Sequence, residues 1–145
     1  MNKSLQSQEH LSSDEAPYLA AARAALFRWA EVMSSGDVET VLSLYAPDAI
    51  LVPTLSNEIG EHEEHRRRYF QRFLSNENLR CRITVQKKRV SRKLGTVVIG
   101  GLYSFDFRRD GREEIIHARF LFTFEEIDGH WLITGHHSSR LSEAL

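Results

Sequence analysis

The hydrophobic period of this chain changes once, near residue 75, and that change limits the folds open to it. Before it, Tyr18, Ala22, Ala25, Leu26, Trp29 and Met33 recur at spacings of three and four, which builds one apolar helical face. Pro17 suits a first helical turn and Gly36 a terminator. Asp37 then caps a short second helix carrying Val38, Val41, Leu42 and Tyr45, and Pro47 ends it. Residues 49–52 read as a short strand stopped by Pro53, and 54–60 as a loop. A third helix over 62–74 has Tyr69, Phe70, Phe73 and Leu74 as its apolar positions, with His62 and Arg66 on the same side. After it the period is two. Residues 80–90, 95–107, 113–127 and 131–139 read as long strands. Arg109-Asp110-Gly111-Arg112 and Asp128-Gly129 are hairpin turns, where glycine supplies the positive φ. Three helices followed by an antiparallel meander make an α+β architecture. Helices leaning on a strongly curved sheet leave a pocket between them.

A chain of 145 residues fits one domain and buries a real core. Residues 1–15 are polar and are expected as a mobile arm, with one domain over 16–145. The single cysteine, Cys81, excludes an intramolecular disulfide scaffold and a cysteine-cluster zinc site. No run is apolar enough for a secretory signal or a membrane span, so a cytoplasmic protein with no membrane partner is expected. A free thiol agrees with a reducing compartment.

The formal net charge of -1 conceals a pattern. Residues 1–65 carry -8, residues 66–93 carry +10 and residues 94–145 carry -3. A basic block raises the question of nucleic acid. Helical geometry, however, spreads Arg66, Arg67 and Arg68 around the third helix, and in a strand without a bulge Arg80 and Arg82 face away from Arg89. The block is dispersed, and the expected counterparts are acidic segments of the same or a neighbouring subunit. No nucleic-acid partner is expected.

Among candidate site residues, Arg119 is the most informative. It lies inside an apolar strand, sharing a face with His117, Leu121 and Thr123, while Phe120, Phe122 and Phe124 share the other. A guanidinium there stays charged, so it needs a carboxylate, a solvated face or an anionic ligand. His136 and His137 point to opposite faces of the last strand. A two-residue Asp128-Gly129 loop places Arg119 opposite Ser138, on the His136 face; a three-residue loop with Gly129 as a bulge places it opposite His137. An Asp-Gly pair ahead of a bulge favours the second, which gathers the three phenylalanines on an outer face for an oligomer to cover. Trp29, Tyr45 and Tyr103 are amphipathic aromatics suited either to the core or to cavity walls. Thr54 offers a hydroxyl at the cavity mouth, or a turn cap. His62-Glu63-Glu64-His65 lacks the one-turn histidine spacing of zincins and a third ligand, so no metal and no cofactor are expected. Asp106, the one acid well inside an apolar strand, sits near a turn and reads as a rim residue, so no residue set declares an enzyme.

The order and spacing of several segments resemble the nuclear transport factor 2-like superfamily. Within it, the chain is similar to SnoaL-like proteins and to small bacterial relatives of the calcium/calmodulin-dependent protein kinase II association (hub) domain. The segments are Ser35-Gly36-Asp37, Leu44-Tyr45, Asp48-Ala49, Pro53-Thr54-Leu55-Ser56, Tyr69-Phe70 and Phe73-Leu74. Gly101-x-Tyr103-x-Phe105, Ala118-Arg119-Phe120, Thr123-Phe124 and Gly129-x-Trp131-x-Ile133 leading to His136-His137-Ser138-Ser139 continue the match. The resemblance implies a cone-shaped fold around a cavity, dimers or larger oligomers through the outer sheet face, and an arginine at the Arg119 position inside the cavity. The expected function is a homo-oligomeric domain that binds a small anionic molecule, such as a carboxylate. Arg119 would be its anchor, His137 or His136 its neighbour, and Tyr45, Tyr103, Trp29 and Thr54 its walls. Phe120, Phe122 and Phe124 would form the oligomer interface. The superfamily also holds ketosteroid isomerase and SnoaL-like cyclases, so isomerase- or cyclase-type proton transfer in the same cavity is one alternative. A pure oligomerisation module is another.

Overall fold

A computed structural model describes residues 14–142. Three helices precede and interleave with five strands: α1 (Ala16–Val32), α2 (Val38–Leu42), β1 (Tyr45–Val52), α3 (Glu63–Phe73), β2 (Glu77–Ser91), β3 (Thr96–Arg109), β4 (Arg112–Ile127) and β5 (His130–Arg140). A 3-10 turn, Met33–Ser35, follows α1 and ends at Gly36, whose φ of 70° is left-handed. Asp37 caps α2 by accepting a hydrogen bond from the Thr40 amide at 3.3 Å. The expected N-terminal arm falls, apart from Asp14 and Glu15, outside the described residues. Asp14 forms an ion pair with Arg92 on the β2–β3 turn, at 2.6 Å.

The sheet order is β1-β5-β4-β3-β2. The last four strands form the antiparallel meander, and β1 adds to β5 in parallel. Tyr45 belongs to β1 and not to the second helix, because it pairs with Ile133 at the start of that ladder. Pro47 does not break β1. The register jumps between Tyr45 and Ile50, so the missing proline N–H falls where no ladder bond is required. Arg66 of α3, 1% exposed, donates to the carbonyls of Ala49 (3.0 Å) and Pro47 (3.1 Å) and satisfies acceptors in that bulged segment.

A second bulge bends the sheet between β2 and β3, at the register shift between Ile83 and Val85. Gly101 is required there, since a Cβ would stand 1.8 Å from the Val85 carbonyl oxygen. The β4–β5 turn is the two-residue one: Ile127 pairs with His130, and Asp128 and Gly129 have φ of 50° and 82°. An extra residue enters further along, between the pairs Phe124–Ile133 and Thr123–Gly135. Thr134 is therefore the bulged residue, and Arg119 stands opposite Ser139, neither Ser138 nor His137. The parity matches the three-residue reading all the same, because one inserted residue flips the later side chains wherever it is placed. His136 joins the phenylalanine face and His137 the Arg119 face.

Inside and outside are the reverse of the expectation. Phe120, Phe122 and Phe124 are buried in the core, and Arg119, Leu121 and His137 are exposed. The reason lies in the neighbouring strand. Phe120 pairs with Gly101, Phe122 with Ile99 and Phe124 with Val97, so the apolar face of β4 continues that of β3. Trp29 of α1 closes over it, 5.2 Å from Phe122 and 5.7 Å from Tyr103 between ring centroids. Each buried phenylalanine contributes roughly 1.5–3 kcal/mol, whereas a guanidinium on that face would need a partner the core lacks. The phenylalanine stripe is thus core, not an oligomer surface.

Arg80 and Arg82 do not face away from Arg89. The bulge between Ile83 and Val85 inverts the later side chains of β2, so Arg80, Arg82, Lys87 and Arg89 stand opposite Asp106, Ser104, Gly100 and Val98 on one exposed face. Other members of the basic block reach the acidic N-terminal segment. Arg67 pairs with Glu39, Arg68 with Glu58 at 2.8 Å and Arg92 with Asp14.

Candidate functional site

Between α3, the 53–60 loop and the sheet lies a groove of about 440 Å³. Its polar wall comes from α3: His65, Arg68 and Arg72 lie at spacings of three and four and share one face. Arg109, at the end of β3, faces them from the sheet, and Glu58 comes from the loop. His65 Nε2 is 3.1 Å from the Glu58 carboxylate, which also accepts from Arg68. Gly60 lets the loop close on α3, because a Cβ there would meet His65 Cβ at 2.8 Å. Three guanidiniums thus face one carboxylate. Among the described residues, Arg72 and Arg109 have no carboxylate partner, and Arg109 lies over the Phe107 ring at 5.4 Å.

Leu51, Pro53, Tyr69 and Phe73 line this groove and also a narrow inner pocket of about 10 Å³. The inner pocket is bounded by Trp29, Thr54, Tyr103, His136 and Ser138 as well. Here the structure brings together most of the residues singled out in the sequence. Trp29 Nε1 donates to the Tyr45 hydroxyl at 3.0 Å. That hydroxyl is 2.9 Å from His136 Nδ1, and the Tyr103 hydroxyl is 3.1 Å from His136 Nε2. The Ser138 and Thr54 hydroxyls hydrogen-bond each other beside it. The His136 ring stacks on Phe122 at 3.9 Å.

Burial dominates the electrostatics of this cluster. It lowers the His136 pKa to about 3, with His137 adding to the effect, so the ring is neutral. Burial likewise raises the tyrosines: Tyr69 to about 12, and Tyr45 and Tyr103 well above the ordinary phenol range. All three are neutral hydrogen-bonding groups at physiological pH. Cys81, raised to about 12 by burial and by Asp106, is a thiol and not a thiolate.

Arg119 is not part of this cavity. Its Nε donates to Ser139 Oγ at 2.9 Å on the outer face, with exposed His137 on the same face. None of the groove's arginines was a site candidate in the sequence: Arg68 and Arg72 belong to the basic block of residues 66–93, and Arg109 to a hairpin turn. The signal for two of them was present: Arg68 and Arg72 lie one turn apart beside Tyr69 and Phe73. Arg109 had no such signal, since it adjoins a turn and its approach to α3 depends on sheet curvature. Among the described residues, no group of three His, Cys, Asp or Glu stands close enough to hold a metal ion. No described helix is long and apolar enough to cross a membrane.

The model of the SnoaL-like domain matches residues 22–143, nearly the whole described chain. The chain belongs to the SnoaL-like domain family. A Xanthomonas campestris protein described as a calcium/calmodulin-dependent protein kinase II association domain is 35% identical, with 85% of this chain and 88% of that one covered and a TM-score of 0.78. A Novosphingobium aromaticivorans protein described as a scytalone dehydratase shares the fold at 8% identity, over 91% and 89% of the two chains, with a TM-score of 0.80. The Chlamydomonas reinhardtii kinase II hub homology domain does so at 14% identity, over 86% and 98%, with a TM-score of 0.72. No curated protein matches the chain. In this fold the helices pack on a five-stranded curved sheet, and the groove lies between α3, the 53–60 loop and that sheet.

Proposed function

We propose that this SnoaL-like domain binds a small anionic molecule, a carboxylate, in the groove between α3 and the sheet. The observation that carries the reading is the imbalance of charge there: Arg68, Arg72 and Arg109 against Glu58 alone. A carboxylate matches the planar fork of a guanidinium in two parallel hydrogen bonds. The anchor is the Arg72–Arg109 pair, not Arg119. A thermal-shift screen of small carboxylates tests it. Wild-type protein is stabilised, Arg72→Gln with Arg109→Gln loses the shift, and Arg119→Gln keeps it. Loss of the shift in Arg119→Gln alone would return the anchor to the outer face.

Proton-transfer catalysis in the same cavity would require a base with a free nitrogen or an inward carboxylate. His136 is inward and neutral, but Tyr45 and Tyr103 occupy both of its nitrogens. The groove itself holds His65, whose Nε2 lies 3.1 Å from the Glu58 carboxylate and whose Nδ1 is buried without a partner among the described residues. A proton-transfer role for that pair is the second reading, and His65→Gln with carboxylate binding kept and turnover lost would favour it. Self-association accompanies binding: Ile115 (59% exposed) and Leu121 (49%) leave apolar surface on the outer face of β4. The relatives described as association and hub domains support that part of the reading. Light scattering on Leu121→Asp checks it, with a fall in particle mass expected and an unchanged mass counting against this face.

A further inference from the structure

The groove already holds one carboxylate, and it belongs to the chain itself. Glu58 stands on the 53–60 loop, and one of its oxygens accepts from Arg68 Nη2 at 2.8 Å and lies 3.1 Å from His65 Nε2. The loop is tied to β1 at its far end, where Gly60 and Leu51 exchange backbone hydrogen bonds at 2.8 and 2.9 Å. Leu55 and Ile59, on either side of Glu58, are exposed and do not anchor it to the core. The side chains of Arg68 and Glu58 are 54% and 56% exposed. An ion pair so open to water stabilises little, so another carboxylate can take the place of Glu58 at small cost. The place is chemically a carboxylate site, with a guanidinium on one side and an imidazole nitrogen on the other.

A second carboxylate place lies one helical turn away. Arg72 follows Arg68 by four residues on α3, about 6 Å along the helix axis. Arg72 and Arg109 line the same groove and have no carboxylate partner among the described residues. The wall between the two places is apolar, because Tyr69 and Phe73 each follow one of these arginines on α3 and line the groove beside them. A methylene chain suits that wall. A groove of about 440 Å³ has room for both ends of such a ligand.

We propose that Glu58 is an internal stand-in for a second ligand carboxylate, and that the groove selects a linear dicarboxylate, with one end on Arg72 and Arg109 and the other replacing Glu58 on Arg68 and His65. This deepens the anionic-ligand reading and rests on it. Glu58 is then the residue that sets specificity. A monocarboxylate on the open arginines leaves the Glu58 pairing intact. Only a ligand long enough to span the helical turn gains a second contact by displacing it.

Calorimetric titration of the full chain at constant ionic strength tests it. Glutarate and adipate are compared with pentanoate and hexanoate, which match them in length and carry a single carboxylate. Malonate is the third probe: it has both charges but cannot span the turn. Glutarate or adipate is expected to bind about tenfold more tightly than its parent acid, the effect of one further charge-assisted contact. Malonate is expected to gain nothing over pentanoate. In Arg68→Gln the advantage disappears, glutarate falling to the level of pentanoate in that variant. In Glu58→Gln, glutarate tightens by a larger factor than pentanoate, because the competing carboxylate is gone. Both side chains are exposed, so neither substitution disturbs the core. A dicarboxylate advantage that malonate shares, or that survives Arg68→Gln, overturns the inference. Weaker glutarate binding in Glu58→Gln also overturns it, since Glu58 would then hold the ligand and not compete with it. Equal binding of the dicarboxylates and their parent acids removes the inference and keeps the anionic-ligand reading, whereas binding by none of the probes refutes both.

Discussion

Replacing His136 by glutamine separates the buried imidazole's hydrogen bonding from its titration. Glutamine has an acceptor oxygen and a donor nitrogen for the two tyrosines, so it mimics a neutral imidazole without a proton to gain. In the unfolded chain His136 takes up a proton around its ordinary pKa of 6.5, and in the folded protein not until about 3. As pH falls below 6.5, the unfolded state therefore binds a proton that the folded state refuses, and stability declines. One pH unit of this mismatch is worth about 1.36 kcal/mol. From pH 7 to pH 5 the imidazole alone removes about 2 kcal/mol, most of it below pH 6.5. Carboxylates and the remaining histidines contribute their own pH dependence, but they are common to both proteins and cancel in the difference. Urea unfolding of wild type and His136→Gln at pH 7 and pH 5 measures it. The wild type should lose about 2 kcal/mol more than the variant over that interval. Parallel losses in the two proteins would refute a neutral, desolvated His136, whatever the absolute stabilities.

Three further outcomes follow from the packing. Phe122→Ala should cost about 3–5 kcal/mol in the same urea assay, and Leu121→Ala less than about 1 kcal/mol in the monomer, because adjacent residues of β4 face opposite sides. Similar costs would reinstate the outward phenylalanine stripe. Gly101→Ala should destabilise by more than about 1 kcal/mol, against the ordinary gain from replacing a strand glycine by alanine, since its Cβ meets backbone and not a movable side chain; a neutral result would show that the bulge at Val85 relaxes. Carboxylate affinity should fall as salt rises from 50 to 500 mM, by a larger factor in the wild type than in Arg72→Gln with Arg109→Gln, when followed by calorimetry.

Much of the fold was legible because it follows from local signals. The 3.6 period of α1, the Asp37 cap, the Asp-Gly turns and the alternation in β4 each act within a few residues. Tyr45 was misplaced because its role is set by Ile133, which is far away in the sequence. The orientation of β4 was misjudged for a related reason. Alternation shows that Arg119 and Phe120 face opposite ways, but which way is inside depends on β3 and on Trp29. The histidine parity came out correctly with the inserted residue in the wrong place, since one extra residue at Gly129 or at Thr134 inverts the later side chains alike. In the site, the aromatic and hydroxyl residues were legible as amphipathic groups on inward elements. The groove arginines were not, because a cation on an exposed helix face looks the same whether water or a second wall stands opposite. Arg66 is an extreme case: its spacing from Phe70 and Phe73 placed it on the buried side, but nothing local announced the bulged carbonyls it serves.

The parallel pairing of β1 with β5 has a consequence for the order of assembly. The three antiparallel pairings join strands adjacent in the chain and close over short turns, whereas Tyr45 meets Ile133 across most of the domain. Loop closure over that distance is entropically costly, so the meander is expected to form first and β1 to dock late. Tyr45 of β1 and His136 of β5 belong to the same hydrogen-bonded cluster, and therefore the inner pocket does not exist until that docking is complete. The groove shares Leu51 of β1 with that pocket, so a ligand held in the groove recognises the finished fold and not its precursors. It should slow unfolding while leaving the refolding rate almost untouched.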